Sequence, residues 1–103
     1  MTRIYIAGPM SGLPLQNYPA FNAAAAKLRA IGYTVENPAE NPEQPSWAHY
    51  MRLAIGQLVT CDMVILLPGW RKSKGARIER WLSKLLQIEV REAEEVWLAE
   101  VLR

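Results

Sequence analysis

Seven residues, Ser73-Lys74-Gly75-Ala76-Arg77-Ile78-Glu79, carry the sharpest chemical signal in the chain. They stand between an apolar run and a helical pattern. A strand-to-helix turn of this kind leaves the N–H groups of the first helical turn free for an anion. The Ser73 hydroxyl adds a donor, and Gly75 lets the backbone approach a ligand closely. Glu79 lies one turn beyond Gly75 and three and seven residues before Leu82 and Leu86, on the apolar stripe. A carboxylate there faces the buried side of its helix, and charged residues are seldom fully buried without a partner. Two readings compete: a functional carboxylate in a cleft, or a partly exposed Glu79 paired with Arg80 or Lys84 or neutralised by the helix N-terminus. Tyr5 divides similarly, as a core tyrosine or as a hydroxyl that orients Glu79.

The remaining reactive side chains give weaker signals. His49 is the single histidine and Cys61 the single cysteine. A structural zinc site and an internal disulfide are thereby excluded, so no metal and no cofactor is expected. No second cysteine or neighbouring histidine supports Cys61 as a nucleophile, and a buried small residue is the simpler reading. Asp62 caps or starts the strand that follows. Trp47 and Trp70 flank the proposed cleft, where an indole stacks on a flat base or merely packs. The chain carries no Walker loop, dinucleotide fingerprint or nucleophile elbow.

Positioning these residues requires alternating strands and helices. Ile4 to Ala7 is a short apolar run stopped by Gly8-Pro9, which reads as a buried strand. Phe21, Ala24, Ala25, Leu28 and Ile31 follow helical spacing, with Pro19 suited to the first turn and Gly32 to the stop. Tyr33-Thr34-Val35 is a second strand, ended by Asn37-Pro38. A loop with three prolines leads to Ser46, which caps a helix striped by Trp47, Tyr50, Met51, Ala54, Ile55 and Leu58. Met63 to Leu67 is apolar throughout, as in a strand covered on both faces. The third helix begins near Lys74 or Gly75, with Ile78, Trp81, Leu82, Leu85 and Leu86 expected inward. Ile88-Glu89-Val90 forms a fourth strand. A last helix starts about Glu92, with Val96, Trp97, Val101 and Leu102 on one side.

Right-handed crossovers turn this β-α-β-α-β-α-β-α order into an α/β fold: a small doubly wound, flavodoxin-like or Rossmann-like three-layer sandwich. A parallel sheet of four strands in the order 2-1-3-4 is expected. Ligands in such sheets bind beyond the carboxyl ends of the strands where the winding reverses, here at Gly8 to Gly12 and Pro68 to Trp70. The length of 103 residues fits a single domain over 1–103. No apolar run approaches the roughly 18 residues of a membrane span, and the N-terminus lacks the long apolar core of a secretion signal. A cytoplasmic protein is the expectation. Six of the 12 basic residues fall between 71 and 84, and five of the 10 acidic ones between 89 and 100. Such runs are usually solvated, mutually pairing helix faces; the functional alternative is a basic rim around an anionic ligand. Nucleic acid is disfavoured, because the acidic segment opposes the basic one and no stacking aromatics interleave with the charges.

Several motifs taken together resemble the nucleoside 2-deoxyribosyltransferase-like superfamily. They are Tyr5-Ile6-Ala7-Gly8-Pro9, Cys61-Asp62-Met63-Val64-Ile65, and Ser73-x-Gly75-x-x-x-Glu79. Short bacterial and phage members are more similar still, through Gly8 to Gly12, Asn17 to Phe21, Asn37 to Glu40, and Leu67 to Glu79. The resemblance covers nearly all of positions 4 to 88. It implies a nucleoside or nucleotide site, with Glu79 attacking the anomeric carbon and Tyr5 hydrogen-bonding beside it. It further implies substrate contacts from Gly8, Pro9, Asn37, Trp70, Ser73, Gly75 and Ala76. A serine at position 73 is similar to relatives that hydrolyse nucleoside 5′-monophosphates, in which serine and the following amides hold the phosphate; Lys72 and Lys74 suit such an anion. Attack needs an ionised Glu79, which the helix N-terminus with Arg77 and Arg80 would favour. Relatives of this fold complete their sites across a dimer interface, so a homo-oligomer is expected.

One departure stands out. The catalytic relatives carry an Asp eight residues before the strand-opening Asp, and it helps to protonate the leaving base. Here that position is Ala54. Leaving-group protonation contributes about 10²–10⁴-fold, so His49, Tyr50 or Glu40 must substitute or the enzyme is slow. Three functions remain open on the sequence: an N-glycosidase or deoxyribosyltransferase on a nucleoside 5′-monophosphate, a nucleotide-binding module with little catalysis, and an interaction protein that binds polyanions through its basic helix.

Overall fold

The computed structural model describes residues 2–101, with the side chains of residues 100 and 101 left undescribed. Four strands and four helices alternate: β1 (Arg3–Ala7), α1 (Tyr18–Ala30), β2 (Thr34–Glu36), α2 (Trp47–Leu58), β3 (Met63–Leu66), α3 (Lys74–Leu85), β4 (Glu89–Glu92) and α4 (Ala93–Val101). The sheet is parallel throughout, in the order β2-β1-β3-β4. Tyr5 stands opposite Glu36 on one side and Val64 on the other.

Side chains alternate across a strand, and the core divides accordingly. Ile4 and Ile6 of β1 join Ile65 and Leu67 beneath α1, with Ala93 of α4. Tyr5 and Ala7 join Val64 and Leu66 on the opposite face, beneath Ala54 and Leu58 of α2 and Ala76 of α3. The three layers are therefore α1 with α4, the sheet, and α2 with α3. Tyr5 is consequently directed towards the layer that carries Glu79.

The local signals for the elements act as expected. Pro19 occupies the first turn of α1, and Gly32 follows it at φ +100°, the left-handed conformation that ends helices and suits glycine. The Ser46 side chain accepts from the His49 N–H at 3.2 Å, capping α2. Asp62 accepts from the Arg3 N–H at 2.8 Å, tying the entry of β3 to the start of β1. The fourth strand lies at Glu89–Glu92, one to two residues beyond its expected place. In α4, Val96 and Trp97 pack on the core as expected, while the Val101 side chain and Leu102 lie outside the described residues.

Helix α3 departs from its expected orientation. Its buried residues are Ala76, Glu79 and Ser83. Trp81 and Leu85 are 63% and 62% exposed, Leu86 48%, and Ile78 and Leu82 are half-buried. Periodicity identifies which residues share a face, and the smaller side chains of Ala76 and Ser83 let α3 lie close to the sheet. The apolar stripe is thereby turned outward. No described helix is long and apolar enough to cross a membrane.

Candidate functional site

Beyond the carboxyl ends of β1 and β3 lies a cleft of about 290 Å³, near the lower end of the roughly 300–1,000 Å³ usual for small-molecule pockets. Its floor is Glu79 with Tyr5. Gly8, Pro9, Met10, Ser11, Gln16 and Tyr18 form one wall, from the segment joining β1 to α1. Trp47, Tyr50 and Met51 of α2 form another. The rim is Lys72, Ser73 and Lys74, followed by Gly75 and Ala76 in the first turn of α3.

The carboxylate on the floor is 5% exposed. Its partner is the Tyr5 hydroxyl, which donates to Glu79 Oε2. Tyr5 is itself 1% exposed, and no described buried side-chain polar atom is left without a hydrogen bond. Burial pushes the Glu79 carboxyl up to about 7, against an opposing pull from the Tyr5 hydrogen bond, which favours the charged form. Burial and then the field of Glu79 drive the Tyr5 phenol well above its ordinary value, so it remains a donor.

Of the two readings open for Glu79, the pairing with Arg80 or Lys84 does not occur, and Arg77 and Arg80 do not hold it ionised. Arg77 is exposed, and the Arg80 guanidinium lies 5.1 Å from the centre of the Trp70 ring. Glu79 stands beyond the first turn of α3, where the helix dipole has faded. Burial wins, and the carboxyl is raised rather than lowered.

The rim carries two lysines and the N-terminus of α3. Ser73 caps α3 by accepting from the Ala76 N–H at 3.1 Å, and the Arg77 N–H closes onto the Ser73 carbonyl at 3.0 Å. The N–H groups of Lys74 and Gly75 are the donors that helix geometry leaves over at this end. The Ser73 oxygen accepts from its own helix with one lone pair, and its O–H is a further donor at the rim. The Lys74 ammonium sits 4.5 Å from the centre of the Trp47 ring, closing the mouth from α3 to α2.

Two glycines serve packing as much as ligand approach. A Cβ on Gly8 would lie 2.8 Å from the Leu67 Cβ, so glycine lets the ends of β1 and β3 come together. A Cβ on Gly75 would meet Met51 Sδ at 3.2 Å; the absence of a side chain there is explained by the contact between α3 and α2.

Of the residues expected at the site, Tyr5, Gly8, Pro9, Ser73, Gly75, Ala76 and Glu79 all line the cleft. Trp70 and Asn37 do not. Trp70 is buried in the lower core, its indole N–H reaches Glu92 at 3.3 Å, and the Arg71 and Arg80 guanidiniums lie over its ring. Asn37 accepts from the Ala39 N–H and donates to Asn22; it shapes the turn that brings Pro38 to the cleft wall. Among the candidate substitutes for the absent acid, His49 is exposed and bonded to Ser46, and Glu40 is paired with Arg29. Only Tyr50 reaches the cleft. Ala54 is fully buried in the core beside Tyr5 and Leu58.

Met10 falls in the Gly8 to Gly12 segment expected to bind ligand, whereas Gln16, Tyr18 and Met51 carry no signal as site residues in the sequence. Gln16 arrives through an unusual backbone: Leu15, Gln16 and Asn17 are three successive non-glycine residues at φ 53°, 54° and 58°. Such conformations cost on the order of 1–3 kcal/mol each and collect at functional sites. The Asn17 side chain donates to the Pro9 carbonyl at 2.9 Å and pins the loop.

The fold and site together define a small doubly wound α/β protein whose cleft joins a buried carboxyl–phenol pair to a cationic helix N-terminus. The chain belongs to the family described as Domain of unknown function (DUF4406), which matches residues 2–92 and so spans every residue of the cleft. No curated protein matches the chain.

Proposed function

We propose that the cleft takes a nucleoside 5′-monophosphate and that Glu79 cleaves its N-glycosidic bond. The observation that carries this reading is the buried Glu79–Tyr5 pair on the floor of a cleft whose rim is cationic. The phosphate is assigned to the Ser73 hydroxyl and the N–H groups of Lys74 and Gly75, with Lys72 and Lys74 adding charge. That anchor puts the sugar over Glu79 and the base towards Tyr50 and Met10. Ionised Glu79 attacks C1′, the base leaves with the bonding pair, and a glycosyl ester forms; water or a second base then resolves it. The resemblance of Tyr5 to Pro9 and Ser73 to Glu79 to the deoxyribosyltransferase-like superfamily supports the same assignment. The expected setting is the cytoplasm.

A second reading, a nucleotide-binding module without turnover, is favoured by one specific observation. Ala54 is enclosed by core side chains, and among the described residues lining the cleft Glu79 is the sole carboxylate. The discriminating experiment incubates the protein with a panel of ribo- and deoxyribonucleoside 5′-monophosphates and separates free base by chromatography. Release by the parent but not by Glu79→Gln supports the glycosidase. Saturable binding of a monophosphate without release from any substrate supports the module.

The outward stripe of α3 also supports self-association, since the large apolar side chains of Trp81, Leu85 and Leu86 are all exposed. It adjoins a groove between α2 and α3 that shares Trp47 and Met51 with the cleft. Sedimentation equilibrium is expected to give at least a dimer; a monomer mass at assay concentration overturns this.

A further inference from the structure

We propose that Tyr50 is the catalytic proton donor to the departing base, in place of the carboxylate that Ala54 cannot supply. This rests on the glycosidase reading and adds to it the group that makes departure possible.

The geometry selects Tyr50 by what its neighbours already do. The Tyr5 hydroxyl is committed to Glu79. The Ser73 oxygen caps α3 and belongs to the phosphate end of the cleft. Tyr18 stands partly exposed in the wall. Tyr50 lies one helical turn before Ala54, half-buried in the wall of the cleft. Its hydroxyl donates to Met10 Sδ at 3.1 Å. A thioether is a weak acceptor, so a ring nitrogen of a base entering between Met10 and Tyr50 is a better partner. Exchange of one for the other needs no rearrangement of α2.

The electrostatics change in the useful direction during the reaction. Burial raises the Tyr50 phenol, and the negative charge of Glu79 raises it further. In the free protein it therefore holds its proton. Attack turns the Glu79 carboxylate into an ester and removes that negative charge, while charge builds on the leaving nitrogen. The phenol becomes more acidic as its acceptor becomes more basic. In balance, the Glu79 Oε–C1′ bond forms, the C1′–N bond breaks with its electron pair going to nitrogen, and the Tyr50 proton follows to that nitrogen. In the second step a water oxygen bonds to C1′, Glu79 leaves as carboxylate, and the water proton returns to the Tyr50 phenolate. The net reaction consumes one water and yields free base and the sugar 5-phosphate.

The test compares parent and Tyr50→Phe on two substrates of one sugar. The first is the monophosphate cleaved fastest in the panel. The second is the 4-nitrophenyl glycoside 5-phosphate, whose phenolate leaves without needing a proton. Tyr50→Phe is expected to slow the first-turnover release of base by about 10²-fold or more while leaving the first-turnover burst of 4-nitrophenolate at the parent rate; the burst is read because hydrolysis of the ester, which follows it, also uses Tyr50. A retained burst from the second substrate also shows that the variant is folded. Equal losses on both substrates, or no loss on the first, overturn the role of Tyr50 and leave Glu79 as nucleophile. Release of 4-nitrophenolate but of no base by the parent does the same. Release of neither product overturns the glycosidase reading together with this one.

Discussion

Replacing Glu79 by Gln should change how stability depends on pH more than it changes stability itself. The carboxyl titrates at about 7 in the folded protein against an ordinary value of 4.5. Below pH 4.5 it is protonated in both folded and unfolded chains, and the amide is nearly isosteric with it. Between pH 4.5 and 7 the unfolded chain ionises while the folded one holds its proton, so the parent loses stability as pH rises. Above pH 7 both forms are ionised and the loss is complete. At about 1.4 kcal/mol per pH unit, the interval amounts to about 3 kcal/mol, undiminished by solvent because the group is 5% exposed. The Gln side chain has no charge to desolvate and still accepts from Tyr5. The assay is urea unfolding of parent and Glu79→Gln at intervals from pH 4 to 8.5. Other titrations common to the two proteins cancel in the difference. That difference should grow in favour of Gln by about 3 kcal/mol, which for a domain of this size moves Tm by more than about 10 °C. Parallel profiles for the two proteins across the whole range would refute the argument, because a carboxyl indifferent to folding is not held in a dry site.

Three other predictions follow from the same geometry. The kcat/KM for base release should rise with pH and level off above about 7, because attack needs the ionised Glu79; in Tyr5→Phe the limb should move to higher pH, since the lost hydrogen bond favoured the charged form. Ser73→Ala should cost about 1 kcal/mol in urea unfolding through loss of the α3 cap, and should weaken monophosphate binding in calorimetry. Gly8→Ala should cost about 1–3 kcal/mol by overpacking, the new methyl meeting the Leu67 Cβ; an unchanged unfolding midpoint would show that the strand ends are not in close contact.

Much of the architecture was readable because each element carried its own local signal. Pro19, Gly32 and Ser46 mark helix ends by backbone chemistry that tertiary packing does not override. The apolar run of β3 implied coverage on both faces, and the division of its side chains between two core clusters bears this out. The sheet order followed from connectivity and the need to cover both faces. The site was legible in part. Tyr5 beside Glu79 was one of two readings open on the residues and the one that the resemblance implied, and the two side chains meet. Trp70 was misplaced because an aromatic at a strand end fits a cleft and a core equally well by sequence. Asn37 was misplaced because a motif does not tell a turn-forming amide from a ligand-binding one. Gln16, Tyr18 and Met51 depend on how α2 and the loop after β1 converge in space, which no local spacing encodes.

The largest correction concerns α3, and it links the site to the surface. Hydrophobicity alone would have turned Ile78, Leu82 and Leu85 towards the sheet. Instead Ala76, Glu79 and Ser83 lie there, spaced at three and seven residues along one helical face. The two small residues bring the helix axis close enough for the carboxylate to reach Tyr5, and the Ser83 hydroxyl satisfies itself on the Glu79 carbonyl at 2.7 Å. A rotation of about 100°, one residue's worth, would bury the leucines and expel the carboxylate from the cleft. The exposed Trp81 and Leu85 are thus the counterpart of the buried Glu79. A sequence that keeps both has kept a polar pair in its core and an uncovered apolar stripe, each of which disfavours the isolated folded chain. That combination is intelligible if the pair performs chemistry and the stripe is covered by a second copy.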